Sequence, residues 1–408
     1  MMRWLYTLGI LIYSKIIQLV APFNEKALKW VQGRKKQSFE LPAGAKKSDQ
    51  WIWFHAASLG EFEQGRPLIE SIKTRYPEKK ILLTFFSPSG YEVRKNYELA
   101  DKVVYLPVDT PGNARKLISA FQFEKVFFIK YEFWFNYMHQ LYISNIPLYF
   151  LSARFRPDQH FFGWYGWWFR KQLTYVNTFF VQDENSAVLL SAISISNFVV
   201  TGDTRFDRVY RLSRQQSPLP AIEKFVGDRK VFVIGSSWPA DEELLFSLIQ
   251  QLPENYAVIL APHDISEKHL RTIESLLPVS YVRYSLSDNN HSKVLLIDNI
   301  GLLSQLYRFA DFAYVGGGFG QNIHNIQEVV AYGCPVIFGP HYKNFTEALD
   351  LKELGGAFAV SDGDELSAIV TKLIDDNSFR QNASVICTTY VEGSIGATEK
   401  VMDAVFKS

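Results

Sequence analysis

Two sequence segments combine residue types that could do chemistry. His55-Ala56-Ala57-Ser58-Leu59-Gly60-Glu61 joins the end of an apolar run to an amphipathic one, which predicts Glu61 in the first turn of a helix at a sheet edge. The helix dipole favours an ionised carboxylate there, and such a group could take a proton from a sugar hydroxyl. Acidic residues also occupy first turns simply as caps, here beside Ser58 as N-cap and Gly60, which allows close backbone approach. Gly316-Gly317-Gly318-Phe319-Gly320 follows the run FAYV and precedes His324-Asn325-Ile326-Gln327-Glu328. Glycines after a strand let N–H groups approach a phosphate, and a following helix N-terminus favours the anion. A tight turn is the plainer reading. The spacing is neither a GxGxxG fingerprint nor a P-loop. Glu328 is placed to accept hydrogen bonds from a ribose diol.

Four further strand ends carry polar residues. Gly235-Ser236-Ser237-Trp238 follows VFVI, and Ala261-Pro262-His263-Asp264 follows YAVIL; turn formation or capping by Ser237 or Asp264 would explain them equally. Glu132 lies in KYEFWFN and Arg205 in TGDTRFD. An arginine there could neutralise a leaving phosphate, or form a surface salt bridge. The eight histidines are scattered and none forms HExxH, so no metal site is expected. No GxSxG motif is present.

The elements that would position these residues alternate. WIWFHAA (51–57), ILLTFF (81–86), KVVYL (102–106), KVFFIK (125–130), IPLYFL (146–151), TFFVQ (178–182) and FVVTG (198–202) are separated by helical patterns such as 62–75 and 184–192. The polar stretch 211–229, with Pro218 and Pro220, reads as a linker. The alternation then restarts with VFVIGSS (231–237), YAVILAP (256–262), KVLLID (293–298), DFAYVGGG (311–318), CPVIFGP (334–340) and AFAV (357–360). Strands separated by helices imply parallel sheets covered on both faces. The expected organisation is an N-terminal apolar helix with a basic flank (1–47), a Rossmann-like domain (48–210), the linker, a second Rossmann-like domain (230–385) and a C-terminal helix (386–408) packing back on the first domain. Two such domains facing a central cleft would line it with the carboxyl ends of both sheets.

Composition narrows the partners. With 408 residues, 47% hydrophobic and 15% aromatic, the chain is long and apolar enough for large cores, which excludes disorder and coiled coil. A net charge of +1 gives no sign of nucleic-acid binding. Two cysteines, Cys334 and Cys387, are too few for a disulfide framework, and the composition suits a reducing compartment. The charge is uneven, because residues 1–47 hold nine Lys and Arg against two Glu. Within residues 4–23 the only charge is Lys15. That segment could span a bilayer, with its basic flank holding the body on the cytoplasmic side. It could equally lie in the interface with Lys15 snorkelling. The aromatic stretch 154–171, and 161–169 within it, suggests either a second membrane-facing patch or a core helix with exposed arginines.

Taken in order, HAASLGE, KYEFWFN, SARF (152–155), TGDTRFD, GSSW, APHD and GGGF…HNIQE…GCPVIFGP…NFTE resemble the 3-deoxy-D-manno-octulosonic acid (Kdo) transferases of lipopolysaccharide synthesis. The resemblance runs from about residue 50 to 350, and the apolar N-terminal segment fits it too. It implies a GT-B fold and metal-independent, inverting transfer of Kdo from CMP-Kdo to a lipid A precursor at the cytoplasmic face of the inner membrane. No cofactor is implied beyond the donor substrate.

Residue by residue, the resemblance makes Glu61 the general base, and Glu132 and Arg205 the stabilisers of the transition state. Ser58 and Gly60 fall on the acceptor side. Ser236, Ser237, Pro262, His263, Ile300, Gly301, Leu302 and Asn325, Ile326, Gln327 and Glu328 fall on the donor side, with Gly316, Gly317 and Gly318 beside them. The chain departs from the family pattern at His263, usually Arg, at Arg205, often Lys, at Gln327, and at Leu302, where an acidic residue is common. Other assignments remain open: another GT-B transferase or epimerase, or a non-catalytic nucleotide-sugar binder at the membrane.

Overall fold

Each of those apolar runs contributes a parallel strand, and the computed structural model describes residues 2–215, 217–286 and 292–407, apart from the side chain of Lys36. The first sheet comprises β1 (Gln50–Ala56), β2 (Lys80–Phe85), β3 (Lys102–Tyr105), β4 (Gln122–Ile129), β5 (Leu148–Ala153), β6 (Thr178–Val181) and β7 (Phe198–Val200). Their order is β3-β2-β1-β4-β5-β6-β7. The second sheet holds β8 (Lys230–Ser237), β9 (Tyr256–Pro262), β10 (Tyr281–Arg283), β11 (Val294–Leu296), β12 (Phe312–Val315), β13 (Val336–Phe338) and β14 (Ala357–Ala359), ordered β10-β11-β9-β8-β12-β13-β14. Both are doubly wound, reversing direction at β1/β4 and at β8/β12.

The strands lack polar alternation because helices cover both faces. Trp51 to Ala56 of β1 are all buried, with Trp53 on one side of the sheet and Phe54 on the other. Trp53 packs against Phe123, Phe128 and Tyr137, while Phe54 stacks on Phe127 at 4.9 Å. Helices start where capping residues dictate. Asn24, Thr110 and Asp183 each accept a backbone N–H of the first turn.

The chain divides into two units, residues 1–207 with 396–408, and residues 208–395. The stretch 211–229 ends one helix (Arg205–Arg214) and forms another (Pro220–Val226), with Gln216 outside the described residues. Ile222 and Phe225 of that second helix are buried, so these apolar positions gave it a packed face that its prolines obscured. Two helices, Asn377–Ser394 and Ala397–Phe406, occupy the C-terminal region. The latter returns to the first unit, where Val401 and Met402 pack among Phe54, Ile69 and Ile72. Asp207 closes its start by accepting the Gly396 and Thr398 N–H groups. Strand β10 had no distinct signal, being three residues of an exposed edge.

The helix Met2–Val20 lies along the first unit. Tyr6 donates to buried Asp109 at 2.6 Å, Asn136 donates to Thr7 at 3.1 Å, and Tyr13 stacks on Phe86. Its other face exposes Trp4, Leu5, Leu8, Leu11, Ile12, Ile16 and Leu19. The aromatic stretch near 161–169 is split: Phe161 and Trp168 join the core, whereas Trp164 is 92% and Trp167 61% exposed.

Candidate active site

Strands β1 and β4 flank the reversal of the first sheet, the place where doubly wound folds bind ligands. β1 leads through Ala57 and Ser58 into the helix Leu59–Arg75, and β4 leads through Lys130 to Glu132. Glu61 Oε2 accepts the Ala57 N–H at 2.5 Å. Ser58 occupies the N-cap without making a side-chain cap bond, contrary to the expectation from sequence. The longer Glu61 side chain reaches back and closes that turn instead. Gly60 is exposed in the same turn, with open space where a Cβ would sit.

Glu132 Oε2 accepts the Trp134 indole N–H at 2.7 Å and lies 3.2 Å from His55 Nε2. Burial, then the Glu132 charge, pushes the Glu61 carboxyl up to about 7. Burial likewise pushes Glu132 up to about 7, against the opposing hydrogen bond from Trp134. Two carboxyls at one strand edge are thus poised near neutrality, the condition for proton transfer at physiological pH.

Two cations, Lys130 and Arg205, belong to the same quoted motifs. Lys130 ends β4 with a left-handed φ of 64°, and its ammonium is pushed down by burial and by Arg205. It also interacts electrostatically with Glu61. Arg205 pairs with Asp203 within its own motif, Nη2 to Oδ2 at 2.6 Å and Nε to Oδ2 at 3.0 Å. Burial works to raise the Asp203 carboxyl, but Arg205 and Lys130 hold it below the usual range. A salt bridge therefore exists, with its carboxylate buried and not at the surface as the plain reading had it, and it orients the guanidinium. Sequence reasoning singled out Glu61, Glu132 and Arg205 but passed over His55, Lys130 and Asp203, which lie inside the same quoted motifs.

The second unit repeats the arrangement at β8 and β12. A register shift bulges β8 at Ser236, whose φ is 53°. Ser237 is fully buried and donates to Glu242 at 2.9 Å, so its hydroxyl serves packing beneath the edge. Pro262 ends β9, and His263 donates its N–H to the Ser237 carbonyl at 2.9 Å. The rings of Trp238, His263 and His324 stack, with centroids 4.4 Å (Trp238–His263) and 4.6 Å (His263–His324) apart. Trp238 Nε1 donates to His324 Nε2 at 2.8 Å.

The glycines act differently from the expected phosphate cradle. Gly316 N–H is bound by the Gly235 carbonyl, and Gly317 N–H by Asp241 at 2.8 Å. A Cβ on Gly316 would lie 2.2 Å from the Ser236 carbonyl oxygen, and one on Gly318 2.6 Å from Gly339 N. These positions are glycine because neighbouring chains touch there, and Gly317 also because its φ is 92°. Asn325, one residue before the N-cap Ile326 of a helix of only four residues, Gln327–Val330, accepts the Gln327 N–H at 3.0 Å. Its amide lies 3.4 Å from Glu328 Oε1. Ile326 and Gln327 are buried, and Gln327 donates to Glu347 at 3.1 Å. In the segment before the helix Leu303–Leu306, Ile300 is 87% exposed and Gly301 turns with φ 96°, followed by half-buried Leu302. Among the described residues no three His, Cys, Asp or Glu side chains group to hold a metal ion.

Two doubly wound units, each with polar groups gathered where its strand order reverses, give a GT-B-type fold. Residues 32–208 match the family described as 3-Deoxy-D-manno-octulosonic-acid transferase (kdotransferase). The 3-deoxy-D-manno-octulosonic acid transferase of Haemophilus influenzae is 27% identical over 373 residues, covering 87% of this chain and 86% of that protein. A bifunctional glycosyltransferase/methyltransferase of Fusobacterium nucleatum is 27% identical over 357 residues, covering 81% of this chain and 53% of that protein. In fold, the UDP-GlcNAc 2-epimerase of Neisseria meningitidis superposes with a TM-score of 0.61 at 17% identity, over 88% of this chain and 100% of that one. The likeness to 3-deoxy-D-manno-octulosonic acid transferases thus takes in a family-model match over residues 32–208 and relatives aligned over most of the chain.

Proposed function

We propose that this protein transfers Kdo from CMP-Kdo to a lipid A precursor, with inversion at the anomeric carbon and with Glu61 as the general base. The observation that carries the reading is the Glu61–Glu132 pair at the edge of the first sheet, both carboxyls pushed up to about 7 by burial. In the step proposed, an acceptor hydroxyl oxygen bonds to the anomeric carbon as the bond from that carbon to the CMP phosphate oxygen breaks. The hydroxyl proton passes to Glu61, and CMP departs with the bonding electrons. Positive charge develops on the sugar, as in other glycosyl transfers. Glu132 faces that charge, while Arg205, oriented by Asp203, and Lys130 face the leaving phosphate.

The donor falls to the second unit: Ser236, Pro262 and His263 beside the ring stack, the segment Ile300-Gly301-Leu302, and Asn325 to Glu328. Ser237 and Gly316 to Gly318 shape that edge from beneath. Ser58 and Gly60 sit on the acceptor side. The domain limits proposed for these roles are those expected from sequence, 48–210 for the acceptor and 230–385 for the donor.

The lipid nature of the acceptor draws support from the N-terminal helix. Its row of exposed apolar residues, with Trp164 and Trp167, suits the headgroup region of a bilayer. The contacts of Tyr6, Thr7 and Tyr13 run along more than one turn of the helix and favour lying in the interface over spanning. An apolar cavity of about 410 Å³, lined by Tyr13, Ile16, Ile17, Val20, Trp30 and Phe86 among others, adjoins that helix. Phe86 packs at 4.6 Å on Trp134, the residue that holds Glu132. With its basic flank the helix would keep the catalytic body at the cytoplasmic face of the inner membrane.

Mass spectrometry of lipid A precursor incubated with the protein, CMP-Kdo and detergent tests the proposal. The expected result is a gain of one or more Kdo residues that disappears with Glu61→Gln. No gain from intact donor and acceptor overturns the Kdo assignment.

A further inference from the structure

Beneath the proposed site Glu132 joins a buried polar network whose His55 and Thr84 the reaction scheme leaves unused. His55 is fully buried at the end of β1. Its Nδ1 lies 2.8 Å from Thr84 Oγ1 and 3.2 Å from the Thr84 carbonyl. Its Nε2 lies 3.2 Å from Glu132 Oε2 and 2.9 Å from Trp134 Nε1, which is itself 2.7 Å from Glu132 Oε2. Thr84 Oγ1 accepts the Trp53 indole N–H at 2.8 Å and lies 3.4 Å from the Phe54 carbonyl.

An indole N–H only donates, a carbonyl only accepts, and a neutral imidazole does one of each. These rules leave two complete arrangements. With Glu132 ionised, His55 Nε2–H and Trp134 N–H both donate to its carboxylate, and the Thr84 hydroxyl donates to bare Nδ1. With Glu132 protonated, His55 carries its proton on Nδ1 and donates to Thr84. The Thr84 hydroxyl then turns to the Phe54 carbonyl, and bare Nε2 accepts from Trp134 or from the Glu132 acid. The Trp53 N–H holds Thr84 in both.

We propose that His55 is a positioning residue for Glu132, whose tautomer exchange with Thr84 lets that carboxyl take up or release a proton without stranding a buried polar group. The inference rests on placing Glu132 at the reacting centre. Stranding a buried donor or acceptor would cost about 1–3 kcal/mol, enough to pin Glu132 in one state. The ring stays neutral throughout, because burial pushes His55 down to about 3. The other charged groups acting on it are Glu61, which favours its protonation, and Arg34, which opposes it.

The test is ¹⁵N NMR of the full-length, histidine-labelled protein in detergent from pH 5.5 to 8.5, with His55→Gln assigning the signal. The wild-type ring should pass from the Nδ1–H to the Nε2–H tautomer as pH rises. Thr84→Val, which cannot donate to Nδ1, should hold the Nδ1–H form throughout, and Thr84→Ser should restore the exchange. Glu132→Gln, which cannot titrate, should abolish it even if Thr84→Val folds poorly. In transfer assays Thr84→Val should move the Glu132 limb of the pH profile up by about one to two pH units, the effect of losing one hydrogen bond to a charged group. A wild-type ring that keeps one tautomer across this range overturns the proposal. That readout needs no substrate, so it is separate from a failure of Kdo transfer, which would count against the proposed function.

Discussion

The buried Asp241 carboxylate accepts the Gly317 backbone N–H at 2.8 Å, so the helix after β8 holds the loop after β12. The same oxygen accepts the Trp238 N–H at 2.9 Å, and the other oxygen accepts the Tyr314 hydroxyl at 2.7 Å. Three donors converge on one acid; a carboxamide oxygen can keep the two backbone N–H groups, but its NH2 then faces the Tyr314 hydroxyl, whose proton loses its acceptor. Asp241→Asn should therefore lower stability by about 2–3 kcal/mol, read by urea unfolding. It should also weaken CMP binding about tenfold, equivalent to ~1.4 kcal/mol, in calorimetric titration. Unchanged CMP affinity in a folded variant would separate this loop from the donor.

Glu61→Gln keeps an oxygen for the Ala57 N–H but cannot accept a proton. Its turnover should fall about 10²–10⁴-fold, the range for a lost general base, with CMP affinity retained. Equal turnover would remove Glu61 from the chemistry.

The pH dependence has a definite sign. A base with its pKa raised to about 7 is ionised above that pH, so the wild-type rate should climb as pH rises through neutrality. Stability runs the other way. The neutral acid is favoured in the folded state, so its contribution is fully present below pH 4.5 and lost as pH rises through about 7. Glu61→Gln should accordingly raise the Tm relative to wild type more at pH 8 than at pH 5, measured by calorimetry.

Arg34 anchors the helix Glu25–Lys36. Its guanidinium donates to the Phe86 carbonyl at 2.8 Å and the Leu106 carbonyl at 3.0 Å, and lies 3.8 Å over the Trp30 ring. Arg34→Ala should cost about 3 kcal/mol from these hydrogen bonds and the ring contact. Arg34→Lys should recover only part, since an ammonium lacks the fork. Denaturant unfolding of both variants measures the difference.

The exposed face of the first helix gives a membrane prediction. Leu8→Glu and Ile12→Glu alter side chains that are 39% and 52% exposed, so the Tm should hardly change. Burial of each side chain in lipid contributes about 1.5 kcal/mol or more, so flotation with anionic vesicles should show about tenfold weaker binding per substitution. Binding equal to wild type would exclude this face as the membrane contact.

Much of this architecture was legible in the sequence because continuous apolar runs separated by amphipathic stretches have few solutions other than buried parallel strands. Runs such as ILLTFF and YAVILAP became β2 and β9 nearly as read. The edge strand β10 and the helix Pro220–Val226 were not legible, the first because it is short and part-exposed, the second because prolines signal a break before they signal a helix start. Glu61 and Glu132 were visible as polar residues at strand ends. Their coupling was not, since it depends on β1 and β4 being neighbours although 77 residues separate His55 from Glu132. The glycines were recognisable from sequence, but the reason for them was decided by close contact with Ser236 and Gly339 and by Asp241. Local sequence determined the strands, the helix starts and the polar residues at their ends. Only the tertiary structure decided which of those residues share an environment, because burial of both carboxyls, and the Glu132 charge acting on Glu61, move them toward neutrality where residue type alone would not.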